Sequence, residues 1–492
     1  MVLILVAAAL AALPAAAGAS ARQISIFADD AVLRGLSVHD AEASMREVKR
    51  LGADMVRTAV SWRRVSPRPF SRRKPGGFDV GDPRDPGYDW SSYDAFVSRA
   101  RRSGLKVYLT LSPPIPYWAS EEPRRCPHFI GGYRKLGRSC YWKPRPKLFG
   151  QFVKAVARRY RGRVSLYSMW NEPNLEHYLY PPLRRTRFGV VDVAARRYRS
   201  LWHEGWKAIA RYDRPRRGKV LFGETAAISS PMDTLRAALC LDPDGRPFRG
   251  RLRALQGCRN PRRLAVGGFA HHPYAQQAAG SVFERTKSID SLPLAYLGRL
   301  HALIAGAARH GRIPRGRGIY LSEFGFQSKP PDRYEGLSLG AHARSINEAD
   351  RLFHRDRRVR SVTQFQLYDV PEPGNRDAFN TGLRFYAGPR KPAWHAYRMP
   401  LVAERISSRV VELWGQVRPT RGRTTTVITA RGRGGRRARV ARVRTNRSGF
   451  FGVRVRRPAA ARLRYRSEWR SRSGELMKSR VAGAGRRIRY LG

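Results

Sequence analysis

The chain has 492 residues, 42% of them hydrophobic, enough to bury a large core and to fill more than one domain. Its 96 basic against 37 acidic side chains give a formal charge of +59, carried mainly by arginine and scattered over every region. That scatter argues against one dedicated nucleic-acid site, and no stretch beyond residue 21 is apolar for long enough to span a membrane.

The first 21 residues stand apart. Val2 to Ala17 is an almost uninterrupted apolar run containing Pro14, and Ala19-Ser20-Ala21 offers a small-x-small cleavage site before Arg22. Residues 1–21 therefore read as a secretory signal peptide, and the expected destination is extracellular. The run lacks a basic start, so an uncleaved anchor stays open.

From residue 22 to about 400, short apolar runs alternate with longer helical patterns. Strands are predicted at Ile24–Phe27, Met55–Val60, Val107–Leu111, Val164–Trp170, Val220–Gly223, Val266–His271, Ile319–Glu323 and Val362–Leu367. Helical patterns such as Asp40–Leu51, Lys147–Tyr160 and Ala194–Ala210 lie between them. Eight strands alternating with helices predict an α/β fold, a (β/α)8 TIM barrel with long insertions, with an open doubly wound sheet as the alternative. No G-x-G-x-x-G follows the first strand and no Walker-type loop occurs, so no nucleotide cofactor is expected.

Residues 401–492 change character. ELWGQVRP, TTTVITARG, RARVARVRT and GFFGVRV alternate apolar with polar at period two, which predicts a small antiparallel β-sandwich appended to the barrel. This part has few acids and the dense cationic run RGRGGRRARVARVR, a candidate contact for an anionic cell wall or another polyanion. With the converging acids all before Pro400, it is expected to be dispensable for chemistry.

Four cysteines fall as two close pairs without C-x-x-C or zinc-type spacing. In an exported chain they predict disulfides Cys126–Cys140 and Cys240–Cys258, each closing a long loop and stabilising by roughly 3 kcal/mol on loop-entropy grounds.

The active end of such a barrel is the C-terminal end of its strands. There the sequence places Arg57, Trp118, Asn171 with Glu172, Glu224, His271 with His272 and Tyr274, Glu323, and Tyr368. Two or three carboxylates among an arginine, a histidine and aromatic rings suit a sugar, because rings stack on pyranose faces and polar groups bond the hydroxyls. Paired carboxylates across an acetal are the apparatus of glycoside hydrolysis. The adjacent histidines lack a third ligand at metal spacing, so no metal is expected. Glu224 reads equally as a third sugar contact or a salt-bridge partner, and Trp118 as a substrate platform or as packing. Trp170 is expected to lie against Glu172 and desolvate it.

The segments WNEPN at 170–174 and LSEFGF at 321–326 resemble the retaining glycoside hydrolases of clan A, of the family 39 and family 5 type. The resemblance covers residues 22 to about 400. It implies Glu172 as acid/base and Glu323 as nucleophile, with Asn171, Arg57, His272 and Tyr274 as binding residues. The chain departs from family 5 after strand three, where Ser112-Pro113 stands in place of a histidine, and after strand eight, where Gln366-Leu367-Tyr368 stands in place of a tryptophan. The expected protein is a monomeric, secreted, cofactor-free glycosidase acting on an oligo- or polysaccharide with β linkages. The alternative is an inactive carbohydrate- or cell-wall-binding protein on the same barrel.

Overall fold

The computed structural model describes residues 22–126, 139–213, 220–275, 282–371, 379–420, 422–432 and 434–491. The predicted signal segment lies outside them. Eight strands close a parallel barrel: β1 (Ile24–Ala28), β2 (Met55–Ser61), β3 (Lys106–Ser112), β4 (Leu166–Met169), β5 (Val220–Ala226), β6 (Gly268–His272), β7 (Ile319–Leu321) and β8 (Val359–Phe365). Each pairs with its chain-order neighbours, and β8 closes on β1 in the register Ile24–Ser361 to Ala28–Phe365. All eight are the apolar runs read from sequence, because a strand buried on both faces needs little polar alternation.

The barrel's two surfaces are read from β3. Val107, Leu109 and Leu111 join the large cluster under the helices, whereas Tyr108 belongs to a separate interior cluster with Ile26, Met55, Leu166, Leu221 and Ala270. That interior layer is the floor on which the site stands. The surrounding helices are fixed by ordinary caps: Asp40 accepts from the Glu42 and Ala43 amides, and Asp192 from the Ala195 amide.

Beyond the helix Pro392–Arg398 lie β9 (Leu401–Arg405), β10 (Val410–Gln416), β11 (Thr425–Arg431), β12 (Arg437–Arg444), β13 (Phe450–Arg456), β14 (Arg464–Arg470), β15 (Leu476–Lys478) and β16 (Ala482–Gly485). They form one sheet ordered β12-β11-β14-β16-β9-β10-β13, with β15 on β14, around a core that includes Leu413, Ile428, Phe451 and Tyr465. The expected antiparallel pairing holds except between β9 and β16, which run parallel at Ala403–Ala484.

This sheet is docked against the helix Leu339–Arg355 and the start of β1. Arg351 reaches Glu404 at 2.8 Å and Glu412 at 2.7 Å, and Arg418 reaches Asp350 at 2.6 Å and the Ser25 hydroxyl at 3.1 Å. The Trp414 indole donates to His354 Nδ1 at 3.1 Å. Ser25 opens β1, so the contact is at the barrel end opposite the strand C-termini.

Both expected disulfides are present, with Cα separations of 5.2 Å for Cys126–Cys140 and 5.6 Å for Cys240–Cys258. Among the described residues no helix is long and apolar enough to cross a membrane.

Candidate active site

Two residues beyond each floor residue, strand periodicity brings the next side chain inward. Met55 leads to Arg57, Tyr108 to Thr110, Leu166 to Ser168, Ala270 to His272, and Tyr320 to Ser322. An apolar layer is thus followed immediately by a polar one. On β5 the same step from Leu221 would present Gly223. Instead the register against β6 slips between Gly223 and Thr225, and Glu224, at φ 50°, turns inward in its place. Gly223 permits this slip: its φ is 117°, and a Cβ there would stand 2.4 Å from the Ala270 carbonyl oxygen.

Glu224 is fully buried and is the hub. Its Oε2 accepts from Arg57 Nη2 at 2.9 Å, from His272 Nε2 at 2.8 Å and from the Ser322 hydroxyl at 3.2 Å, while its Oε1 accepts from the Tyr108 hydroxyl. Arg57 is held in plane by Thr110, 2.9 Å from its Nε, and extends Nη1 to Glu323 Oε1 at 2.7 Å. The Tyr274 hydroxyl donates to Glu323 Oε2 at 3.4 Å.

Glu172 follows a backbone turn in which Trp170 has φ 68° and Glu172 itself φ 42°. Left-handed conformations at such residues cost about 1–3 kcal/mol each and persist only where surroundings enforce them. Here the Glu172 amide donates to the Glu224 carbonyl at 2.8 Å, tying the ends of β4 and β5 together. Glu172 Oε1 accepts from His272 Nδ1 at 2.9 Å. One carboxylate oxygen of Glu172, one of Glu323 and a ring nitrogen of His272 all lie within 4.8 Å of one another. The two glutamate side chains remain 14% and 16% exposed, so they face the mouth, whereas those of His272 and Glu224 are sealed.

Protonation follows from this wiring. Burial pushes Glu172 above the ordinary carboxylate range, and the neighbouring Glu323 charge adds to that push, against the pull of His272. Burial would also raise Glu224, but Arg57, His272 and Tyr108 outweigh it and hold Glu224 below the usual range. Burial alone would discharge His272, yet Glu323, Glu172 and Glu224 overcome it and push His272 up to about 10. With Glu172 protonated, two cations, Arg57 and His272, face two carboxylates, and the buried cluster is neutral.

Glu172, His272 and Glu323 are also a geometric match for three metal ligands. The donor chemistry does not fit. Both His272 ring nitrogens are taken up by carboxyl oxygens, Nδ1 by Glu172 and Nε2 by Glu224, so the imidazolium has no lone pair to offer.

The other predicted residues divide. Asn171 is half-buried beside Glu172 and makes no side-chain hydrogen bond among the described residues, leaving its amide for a ligand. His271 faces the other way, bonded to Thr225 at 2.9 Å and to the Leu292 carbonyl at 2.7 Å. Trp118 is 4% exposed and packs edge-on against Trp62 and Phe78, so it presents no free face. Tyr368 stacks on His39, with ring centroids 3.8 Å apart. Trp170, expected against Glu172, is instead buried against Phe149 with its indole donating to the Tyr178 carbonyl at 2.9 Å. The left-handed turn at Trp170 sends the ring and the carboxylate to opposite sides, and general burial desolvates Glu172. Sequence reasoning missed Tyr108, Thr110 and Ser322. For the first two the signal was present: Tyr108 and Thr110 are polar members of the alternating run KVYLTLS.

No family model and no curated protein matches this chain. Solved structures of similar fold include a glucosidase from Croceicoccus marinus, 12% identical over 90% of this chain and 94% of that one, with a TM-score of 0.51. Others are a family 39 glycoside hydrolase from Bacteroides cellulosilyticus, 14% identical over 88% and 79% with a TM-score of 0.47, and xylanase 10B from Thermotoga maritima, 15% identical over 77% and 94% with a TM-score of 0.42. At 12% identity the likeness to the first of these is one of fold.

Proposed function

We propose that the chain is a retaining glycoside hydrolase of the clan A type, acting on a β-linked glycan. The observation that carries this reading is the approach of one Glu172 oxygen and one Glu323 oxygen to within 4.8 Å, with Glu172 pushed toward its protonated form. Retaining enzymes hold their carboxyl groups about 5–5.5 Å apart, whereas inverting ones leave about 6.5–9.5 Å for a water. Glu172 donates its proton to the leaving glycosidic oxygen, and Glu323, aligned by Arg57 and Tyr274, attacks the anomeric carbon. The C–O bond to the leaving group breaks as the Glu323–sugar bond forms. Water, deprotonated by Glu172, then releases the sugar with its original configuration. Asn171 binds the neighbouring hydroxyl, a contact that tightens as the oxocarbenium ion develops.

The catalytic unit is residues 22–400 and the accessory unit 401–492. The two disulfides and the leader-like residues 1–21 favour an oxidising, extracellular setting.

A panel of aryl β-glycosides tests the reading. Glu323→Ala abolishes turnover, and azide restores it as a glycosyl azide of inverted configuration. Glu172→Gln retains substrates with good leaving groups far better than poor ones, because only the latter need the proton. Wild-type rates in both variants on every active substrate would end the hydrolase assignment, as would a wild-type product of inverted configuration.

A further inference from the structure

Residues 401–492 hold 25 arginines and one lysine against four glutamates and no aspartate. Strand pairing decides where those charges point. Ile428, Ala430 and Ala441 face the core, so the opposite side of β11 and β12 faces solvent. There Arg431 lies directly across from Arg437 on β12 and from Arg464 on β14, and Arg439, Arg442 and Arg444 continue along β12 on the same side. The bulge between Ile428 and Thr429 keeps them there, matching Val427 with Arg442 and Thr425 with Arg444. Of these six, Arg437 alone pairs with a carboxylate among the described residues, Glu468 at 3.2 Å, and all but Arg437 lack any such partner.

Adjacent strands stand about 4.8 Å apart, so Arg437, Arg431 and Arg464 form a row of like charges at near-contact spacing. Like charges directly opposite destabilise a sheet. Apart from the Arg437–Glu468 pair, the row meets no counter-charge within the fold, whereas an anionic chain laid across it would relieve the repulsion and release counterions. Among the described residues the face also shows no free stacking ring of the kind that single-stranded nucleic acids use: Tyr465 belongs to the core, and Trp469 packs against it with its indole bonded to Thr424 at 2.8 Å. Guanidinium forks, used here almost to the exclusion of lysine, suit carboxylates in a bidentate pair.

We infer that the solvent face of β11, β12 and β14 is a docking surface for a carboxylate-bearing polysaccharide, which holds the chain on its polymer while the opposite end of the barrel works. The surface itself is argued from charge and topology. Only the choice of polysaccharide over other carboxylate polymers rests on the glycosidase reading, and the binding measurement below needs no turnover.

The full chain is measured on immobilised polygalacturonate, with dextran and single-stranded DNA as parallel matrices, against the triple variant Arg431→Gln/Arg437→Gln/Arg464→Gln. Polygalacturonate retains the wild type and dextran does not. In the triple variant the slope of log affinity against log salt falls by about 2 units, as expected for three lost charge contacts. Without polymer that variant melts at the wild-type temperature or above, because the repulsion is gone. Equal salt slopes for wild type and variant would mean diffuse charge and overturn the surface. Tighter retention on single-stranded DNA than on polygalacturonate would overturn the partner. A lower melting temperature in the variant would assign the row to the fold and overturn the proposal.

Discussion

Glu224 has both carboxylate oxygens engaged by Arg57, His272, Ser322 and Tyr108 and no exposed edge. No acceptor is left for a sugar hydroxyl, which makes it a positioning residue for the two glutamates that face the mouth. Glu224→Ala leaves Arg57 and His272 buried without a shared counter-charge, so a loss of about 3–5 kcal/mol in unfolding free energy is expected by denaturant titration. The pH dependence has two limbs. Glu224 is depressed in the fold, so its contribution is present above its ordinary value of 4.5 and is lost as pH falls below it. His272 is raised, so its contribution is complete below 6.5 and is lost as pH climbs through about 10. The combined contribution of Glu224 and His272 to the melting temperature is therefore greatest between about pH 4.5 and 6.5, and the His272 part declines toward pH 10. Glu224→Gln removes one of the carboxylates that hold the proton on His272, and the alkaline decline should finish at a lower pH. Superimposable alkaline limbs in the two proteins would show that Glu224 does not set the charge on His272.

At the scale of elements, the site depends on a one-residue slip in β5. Gly223→Ala would add a Cβ 2.4 Å from the Ala270 backbone oxygen and strain a φ of 117°. The carbonyl belongs to the neighbouring barrel strand and cannot yield without breaking the ladder, so a loss above ~2 kcal/mol is expected with activity nearly abolished. The same substitution at Gly434, where a Cβ meets nothing, should leave both melting and turnover unchanged. The slip also explains what sequence could and could not tell. All eight barrel strands were legible, because a doubly buried strand writes itself as an apolar run. Glu172, Glu323, Arg57 and His272 were legible because they sit where such strands end. Strict alternation, however, turns Glu224 away from the axis, and only the bulge reverses it. The side to which Trp170 turns is likewise set by local backbone conformation, its φ of 68°, which leaves no trace in residue type.

At the scale of the whole molecule, the carboxylate cluster and the appended sheet occupy opposite ends of the barrel. Arg418 of the appended sheet donates to the Tyr397 carbonyl at 2.8 Å, the Ser25 hydroxyl at 3.1 Å and Asp350 at 2.6 Å, and it is itself 6% exposed. Its backbone oxygen lies so near Gly52 that a Cβ there would approach within 2.3 Å, so sheet and barrel pack without intervening space. Arg351 depends in the same way on Glu404 and Glu412. Removing residues 401–492 would strand Asp350 and Arg351 at a newly wet surface and uncover Met399, although it would take away no residue of the carboxylate cluster. A point change separates the two effects more cleanly than truncation. Arg418→Ala leaves Asp350 buried without its cation and should cost about 3–5 kcal/mol, read as a lower melting temperature and denaturant midpoint. At 25 °C, where the folded form still dominates, its kcat on an aryl glycoside should stay within about twofold of wild type, because each 1.36 kcal/mol in the barrier is tenfold in rate and no catalytic group has moved. A tenfold fall in kcat with unchanged melting would mean that the sheet is coupled to the carboxylates through the barrel.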